Sequence, residues 1–178
     1  LISRFSKFPF VVKPAAEGSS IGISKVSALN EMKSAMELAF KYDDNVLVEE
    51  WITGDEYTAS IVDGESLPLV RLKTNNTFYD YDAKYISNDT QYHCPCGLID
   101  GKEHAFQKMA KQAFNAVGAA GWGRVDFMVD ASGNAFLIEI NTLPGMTSHS
   151  VLPMAAKKAG YNFEILVMKI LEAGYAKA

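Results

Sequence analysis

Short hydrophobic segments bounded by turn residues dominate the first part of the chain. Four of them have the length and composition of strands, namely FPFVVKP, NVLVEEW, EYTASIVDG and SLPLVRL. Between the first two, the hydrophobic positions from Leu29 to Phe40 follow the 3.6-residue period of a helix, and Ser27 is a candidate cap at its start. The pattern predicts a strand, a loop and a helix, followed by further strands.

The pattern changes after residue 73. Residues 74–101 form a polar, tyrosine-rich segment that is too long for a passive connection in a compact domain. Beyond it, EHAFQKMAKQAFNAVG has the helical period and stops at Gly118, RVDFMVDASGNAFLIEIN is typical of a β-hairpin, and VLPMAAKKAG and NFEILVMKILEAG predict two closing helices. Strands and helices in this order predict an α+β fold with a boundary near Gly54.

Composition and charge narrow the function classes. The 178 residues are 48% hydrophobic, which favours a globular chain over a disordered one. The net charge of −4 comes with scattered lysines and arginines, so nucleic acid is not an expected partner. No hydrophobic run approaches the roughly 20 residues that span a bilayer, and we expect a soluble, cytosolic protein with no membrane partner. Because the chain begins at Leu1 without a methionine, we expect a fragment.

The two cysteines lie two positions apart in the sequence HCPCG. This spacing is poorly suited to a disulfide, and it lacks the second pair of ligands that a zinc site needs. Reduced thiols in a loop are the favoured interpretation of Cys94 and Cys96. A metal site formed with His93 is the alternative.

The hairpin carries the clearest chemistry. Side chains alternate across a strand, so Arg124, Asp126 and Met128 share one face. An even-numbered loop centred on Ser132 and Gly133 would place Asp126 opposite Glu139 and Arg124 opposite Asn141, with opposed Cβ atoms about 4.5 to 5.5 Å apart. Carboxylates that close repel each other, so a cation is expected between them, and oxygen ligands suit magnesium. An acidic face exposed to solvent is the alternative.

Two other segments are compatible with nucleotide binding. KPAAEGSSIG has the glycines and hydroxyls of an anion-binding loop without the ending of a P-loop, and Lys13 can hold a phosphate. VEEWITGDE combines hydrophobic residues with carboxylates, as adenine and ribose require. A surface turn and an ordinary strand end are the alternatives.

Six motifs between Lys13 and Gly160 together resemble those of the ATP-grasp carboxylate-amine ligases, and most closely those of the bacterial D-alanine–D-alanine ligases. They are KPAAEGSSIG, EEWITGDEYT, FYDYDAKY, GWGRVDFMVD, EINTLPGMTSHS and VLPMAAKKAG. The resemblance implies an ATP-grasp fold in which residues 1–53 are the remainder of the central subdomain. Residues 54–178 would be the C-terminal subdomain, with a lid loop at about residues 74–101. The family's N-terminal domain would be absent.

The resemblance also implies a nucleotide and metal site. ATP phosphates would be bound by Lys13, Lys84 and the loop at Ser19 and Ser20. Two Mg²⁺ ions, for which Mn²⁺ can substitute, would be held by Asp126, Glu139 and Asn141. For the adenine pocket, the resemblance implies contacts from Glu49, Glu50, Trp51 and Ile52. For the ribose, it implies a contact from Glu56.

The reaction implied is the joining of two D-alanines in the cytoplasm, for peptidoglycan synthesis. ATP would phosphorylate one D-alanine, and the amine of the second would attack the acyl phosphate. Lys84 would contact the transferred phosphoryl group, and Arg124 with the backbone N–H of Gly145 would stabilise the oxyanion. Ser20 and Tyr85 are also implied as site residues, and an acidic residue of the absent part would orient them. Ser150 and Val151 would hold the carboxylate of the second D-alanine.

Departures from the family pattern limit what is expected of this chain. Without the N-terminal domain we expect it to keep most of the nucleotide and metal site but to be inactive alone, and we expect the full-length protein to be a homodimer. Glu50 stands where relatives often have lysine. Tyr85 favours D-alanine as acceptor. A related ligase using D-lactate or D-serine and a noncatalytic nucleotide-binding module are the alternatives.

Overall fold

The computed structural model describes residues 8–73 and 91–175. These residues form two compact units. Unit 1 consists of residues 8–52, and unit 2 consists of residues 53–73 and 91–175. The predictions for Lys84 and Tyr85 therefore lie outside the described residues.

Unit 1 is a three-stranded antiparallel sheet with one helix packed against it. Its elements are β1 (Phe10–Pro14), β2 (Ser24–Val26), α1 (Met32–Ala39) and β3 (Val46–Glu50), and the strand order is β2-β1-β3. Alternate residues of β1 are buried, and Phe10 and Val12 pack with Val26 against Ala35 and Ala39 of the helix. Lys13 therefore lies on the opposite face of β1 from this core.

The start of the first helix differs from the prediction. A 3₁₀ turn at Leu29–Glu31 precedes α1, its N-cap is Ala28, and no side chain caps it. The predicted cap at Ser27 is wrong: the backbone N–H of Ser27 instead donates to a carboxylate oxygen of Glu31 at 2.7 Å. The glutamate thus reaches back over the first turn to the residue before the N-cap.

Unit 2 is a six-stranded sheet whose pairings are all antiparallel, with three helices. The strand order is β7-β6-β4-β8-β9, and β5 pairs with β4. Its elements in chain order are β4 (Gly54–Val62), β5 (Glu65–Ser66), β6 (Val70–Lys73), β7 (Gln91–His93), α2 (Asp100–Ala116), β8 (Trp122–Asp130), β9 (Ala135–Asn141), α3 (Val151–Lys158) and α4 (Phe163–Tyr175). A two-residue turn at Asp63 and Gly64 joins β4 to β5, with both residues at positive φ.

Two hydrophobic clusters form the core of unit 2. One joins α2 to the face of the sheet that carries Tyr57, Val125 and Phe127, and the rings of Tyr57 and Phe127 stack at 5.8 Å. The other joins α3 and α4 to a region that includes Val62 and Val70. Because side chains alternate along β4, the residues between those of the first cluster point to the other face, and two of them, Thr58 and Ser60, are polar.

The segment predicted as a loop up to Gly101 contains regular structure where it is described. Residues 91–93 form β7, which pairs with β6, and α2 begins at Asp100. A strand this short is not visible in hydrophobic periodicity. None of the helices among the described residues combines the length and the hydrophobicity needed to cross a bilayer.

Candidate functional site

The predicted pairing of the hairpin is confirmed. Asp126 lies opposite Glu139, and Arg124 lies opposite Asn141. The predicted even-numbered loop is wrong, however, because Asp130 and Asn134 close a three-residue loop in which the N–H of Asp130 donates to the carbonyl of Asn134 at 3.0 Å.

A β-bulge at Ile138 reconciles this loop with the observed pairing. Phe127 pairs with Leu137 while Asp126 pairs with Glu139, which leaves Ile138 as the extra residue. Without the bulge, the register set by the loop would place Ile138 opposite Asp126 and Glu139 opposite the buried Val125. The bulge therefore returns Glu139 to the polar face.

The cation expected between the carboxylates is Arg124. Its Nε lies 2.9 and 3.0 Å from the two oxygens of Asp126, and its Nη2 lies 2.8 Å from Oδ2 of Asp126 and 3.8 Å from Oε1 of Glu139. The side chains of Arg124 and Asp126 are 14% and 6% exposed, whereas that of Glu139 is 47% exposed. Arg124 and Asp126 thus form a buried, bidentate ion pair beside an accessible carboxylate.

Strand β4 adds two residues that the sequence analysis did not select. Thr58 pairs with Asp126 and Ser60 pairs with Arg124, so both lie on the polar face. The hydroxyl of Thr58 donates to Oδ1 of Asp126 at 2.8 Å. The hydroxyl of Ser60 is buried and has no hydrogen-bond partner among the described residues. Two polar residues at alternate positions of the hydrophobic run YTASIV were the available signal.

The donor set on this face fits a divalent cation. Two carboxylates on adjacent strands already lie on either side of one positive group, the amide of Asn141 follows two positions after Glu139 on the same strand, and hard oxygen ligands are those that Mg²⁺ prefers. The amide oxygen of Asn141 accepts a hydrogen bond from the N–H of Leu143 at 3.1 Å, which fixes its orientation. In the part of the chain that is described, no group of three or more His, Cys, Asp and Glu residues could hold a metal ion. The amide is therefore needed to complete the set.

Glu56 lies further along the same face. It is partly buried and pairs with Met128 on one side and Leu72 on the other. A carboxylate beside a hydrophobic side chain, two positions from Thr58, extends the polar face along β4. A carboxylate in these surroundings suits a sugar hydroxyl next to a flat ring.

The loop after β9 places Gly145 against Ser150. A Cβ atom on Gly145 would lie 2.9 Å from the Ser150 hydroxyl, so glycine leaves that hydroxyl room. The hydroxyl accepts from the N–H of Thr147 at 3.0 Å and lies 2.9 Å from the Thr147 hydroxyl. Ser150 is the N-cap of α3, and Val151, whose side chain is buried, can offer only backbone groups. A helix N-terminus with a serine hydroxyl suits a carboxylate.

In unit 1, Lys13 forms an ion pair with Glu49. The Nζ of Lys13 lies 2.5 Å from Oε2 of Glu49, and the two side chains are 22% and 50% exposed. Their strands pair antiparallel, which brings a predicted phosphate ligand and a predicted adenine ligand together. A pair this exposed contributes at most about 1 kcal/mol to stability, so an anionic ligand can displace the carboxylate at little cost.

The residues after β3 are partly engaged within unit 1. The backbone N–H of Trp51 donates to the carbonyl of Pro9 at 3.1 Å, and the ammonium of Lys25 lies 4.2 Å from the centre of the indole ring. Glu50 is exposed, and Ile52 is partly buried. The Trp51 ring is thus covered by a cation on one face.

The loop between β1 and β2 has an unusual backbone at its two serines. Ser19 and Ser20 have φ values of 53° and 59°, and the N–H of Ile21 donates to the carbonyl of Gly18 at 3.1 Å. Consecutive positive φ values define a type I′ turn, which usually takes asparagine or glycine. Non-glycine residues in this conformation cost roughly 1 kcal/mol or more each and concentrate at functional sites.

The cysteines are free thiols. Cys96 is fully buried in the cluster beneath α2, and Cys94 packs against the cluster of α3 and α4. Burial raises the pKa of both thiols. Both side chains therefore have packing roles in unit 2, while the buried Nε2 of His93 has no hydrogen-bond partner in the described ranges.

The fold is that of an ATP-grasp protein of α+β class, as predicted. The structure is similar to the D-Ala:D-Ser ligase VanG of Enterococcus faecalis, with a TM-score of 0.86 and 32% identity, over 97% of this chain and 51% of that chain. It is also similar to the D-alanine–D-alanine ligase of Bacillus anthracis, with a TM-score of 0.83, 36% identity, and coverage of 95% of this chain and 55% of that one. A D-alanine–D-alanine ligase of Bacillus anthracis complexed with ATP gives a TM-score of 0.81 and 31% identity, over 95% of this chain and 53% of that one.

Residues 2–172 match the family model described as D-ala D-ala ligase C-terminus, and the chain belongs to that family. The D-alanine–D-alanine ligase of Saccharophagus degradans is 58% identical over 160 residues, which is 90% of this chain and 51% of that protein. The ligase of Hydrogenovibrio crunogenus is 53% identical, over 92% of this chain and 52% of that protein. The chain spans about half the length of the curated relatives it matches.

Proposed function

We propose that this chain serves the ATP-dependent ligation of two D-alanines to D-alanyl-D-alanine, for peptidoglycan synthesis in the cytoplasm. Arg124 placed between Asp126 and Glu139 is the observation that carries the proposal, because a buried arginine between a buried and an accessible carboxylate suits a reaction that develops negative charge next to a bound cation. Relatives at 58% and 53% identity that are named D-alanine–D-alanine ligases support the substrate.

The reaction has two steps. An oxygen of the first D-alanine carboxylate attacks the γ-phosphorus of ATP, giving D-alanyl phosphate and ADP. The neutral amine of the second D-alanine then attacks the acyl carbon, loses a proton and expels phosphate. Arg124 and the backbone N–H of Gly145 stabilise the oxyanion of the tetrahedral intermediate. The hydroxyl of Ser150 and the N-terminus of α3 at Val151 bind the second carboxylate.

The nucleotide is assigned to the residues that the family pattern selects. Lys13, Ser19 and Ser20 bind phosphates, with Lys84 on the transferred group, and Glu56 binds the ribose. Asp126, Glu139 and Asn141 hold Mg²⁺, or Mn²⁺ in its place, and the metal neutralises phosphate charge when bound. Adenine contacts are assigned to the end of β3 and the residues after it; they are Glu49, Glu50, Trp51 and Ile52.

We further infer how the chain divides into subdomains and how the whole ligase assembles. Residues 1–53 are the remainder of the central ATP-grasp subdomain, and residues 54–178 are the C-terminal subdomain, whose lid near residues 74–101 excludes water from the acyl phosphate. Ser20 and Tyr85 complete the catalytic set together with the N-terminal domain. The 178-residue chain binds nucleotide and metal but does not turn over alone, and the whole ligase is a homodimer.

The test is the thermal unfolding midpoint of the chain with and without ATP and Mg²⁺, since a ligand that binds the native state raises stability. We expect an upward shift that Glu139→Ala abolishes and that the surface substitution Glu37→Ala retains. No shift in a folded chain would contradict the proposed site. D-Alanine-dependent ADP formation at a rate typical of enzymes would contradict the expected inactivity of the isolated chain.

D-Serine is a second candidate acceptor, since VanG, a D-Ala:D-Ser ligase, matches this structure with a TM-score of 0.86. The higher identity to D-alanine–D-alanine ligases favours D-alanine. Acceptor competition in the whole ligase discriminates the two. We expect D-alanyl-D-alanine as the main product when equal concentrations of both amino acids are supplied.

A further inference from the structure

We propose that Thr58 is a positioning residue that orients the carboxylate of Asp126 toward a bound divalent cation. This inference rests on the proposed function of the polar face. Its basis is the 2.8 Å hydrogen bond from the Thr58 hydroxyl to Oδ1 of Asp126, formed between two buried side chains on adjacent strands.

The two groups that bind Asp126 differ in charge. Arg124 donates to both carboxylate oxygens and carries a positive charge, so a cation arriving at Asp126 repels it. Thr58 is neutral, and its single hydroxyl proton occupies one lone pair of Oδ1 while leaving others available. The Thr58 contact is therefore compatible with a cation at Asp126, whereas the full set of Arg124 contacts is not.

The position of Thr58 makes its hydroxyl a rigid donor. Strand β4 is central in the sheet, with β6 on one side and β8 on the other, and Thr58 pairs with Val70 and Asp126. A β-branched side chain has few accessible χ1 rotamers, and Thr58 is only 2% exposed. The hydroxyl thus stays in place when the partners of Asp126 change.

Such a donor matters for metal binding. Groups that hydrogen-bond to a metal-binding side chain fix its orientation, and their loss typically weakens metal affinity about 10- to 100-fold. Deleting the Thr58 hydroxyl should therefore weaken cation binding although Thr58 itself does not contact the cation. A hydroxyl that served folding alone would change stability and leave metal affinity unchanged.

Ser60 provides a matched control on the same strand. It lies two positions from Thr58, on the same face, and its buried hydroxyl has no partner among residues 8–73 and 91–175. Ser60→Ala removes a hydroxyl from the same environment without removing a described hydrogen bond. The comparison separates loss of the Thr58 contact from a general loss of polarity behind the site.

The experiment measures the Kd of Mn²⁺ alone for the 178-residue chain by electron paramagnetic resonance of the free ion. We expect Thr58→Val to raise the Kd about 10-fold or more, and Thr58→Ser and Ser60→Ala to stay close to wild type. Thr58→Ala is included in case valine impairs folding, since alanine and serine at this position differ only by the hydroxyl. Circular dichroism melts without metal verify that each variant is folded.

The outcomes separate the two proposals. If wild type binds Mn²⁺ and the variants without the Thr58 hydroxyl bind it equally well, the role of Thr58 is overturned and the metal site stands. If the folded wild type binds no Mn²⁺, both are overturned. If Ser60→Ala weakens binding as much as Thr58→Val does, the effect is not specific to the contact with Asp126, and the role of Thr58 is again overturned.

Discussion

The guanidinium of Arg124 donates three hydrogen bonds of 2.8 to 3.0 Å to the carboxylate of Asp126, two positions away on the same strand. Both side chains are largely buried. Removing either residue would leave the other as a buried charge without its partner, which is destabilising.

Replacing Arg124 with methionine should destabilise the chain by about 3 to 5 kcal/mol, since it leaves Asp126 as an uncompensated buried charge. Urea unfolding at neutral pH measures the effect. The double variant Arg124→Met/Asp126→Asn should recover much of the loss, because neither charge then remains. Equal stability of the single variant and wild type would contradict the importance of the pair.

Replacing Gly145 with alanine should push the Ser150 hydroxyl away from Thr147, because the new Cβ would lie 2.9 Å from it. We expect a loss of about 1 kcal/mol, the usual net value of a hydrogen bond, in thermal unfolding. Ser150→Ala provides the control: combined with Gly145→Ala it removes the clash, so the two effects should not add. Strict additivity would argue against this contact.

The thiols should react slowly in the folded chain. Cys96 is fully buried, and burial raises the pKa of both Cys94 and Cys96, so little of either is thiolate at neutral pH. Titration with a chromogenic disulfide should release the signal of both cysteines promptly only after denaturation. Fast reaction of two thiols in the native chain would contradict the described packing.

Asp130, which closes the hairpin loop, should make a small contribution to the loss of stability at low pH. Hydrogen bonds from the side chain and backbone of Asn134 hold the pKa of Asp130 below its ordinary value of 3.8. A depressed pKa gives stability that is present above about pH 3.8 and lost as the pH falls through the lower folded-state pKa. The free energy of unfolding of Asp130→Asn should therefore depend less steeply on pH below 4 than that of wild type. Parallel pH profiles would refute this.

Periodicity in the sequence was enough to predict the larger elements. The helix ending near Gly118 and the hairpin both follow from local hydrophobic spacing, which a chain segment displays whatever its partners are. The predicted opposition of Asp126 and Glu139 was correct although its stated cause was not, because a three-residue loop and the bulge at Ile138 give the same pairing there as an even-numbered loop.

What the sequence did not reveal depends on contacts between distant segments. Thr58 meets Asp126 only because β4 and β8 pair across 68 positions of sequence. The short strands β2 and β7 are stabilised by the neighbours they pair with and carry little pattern of their own. At the first helix, the expected cap from Ser27 is absent, and the backbone N–H of Ser27 donates to Glu31 instead, a choice that local propensity does not decide.

The bulge at Ile138 also separates the tip of the hairpin from its base. The same residues could pair without a bulge around a four-residue loop, and Asp126 would still face Glu139, because the two registers differ only between the tip and Ile138. Slippage of the tip by one position is thus absorbed before it reaches the carboxylates. Over evolutionary time, insertions and deletions at the tip can be accommodated in this way, whereas the spacing between Glu139 and Asn141 has no such tolerance.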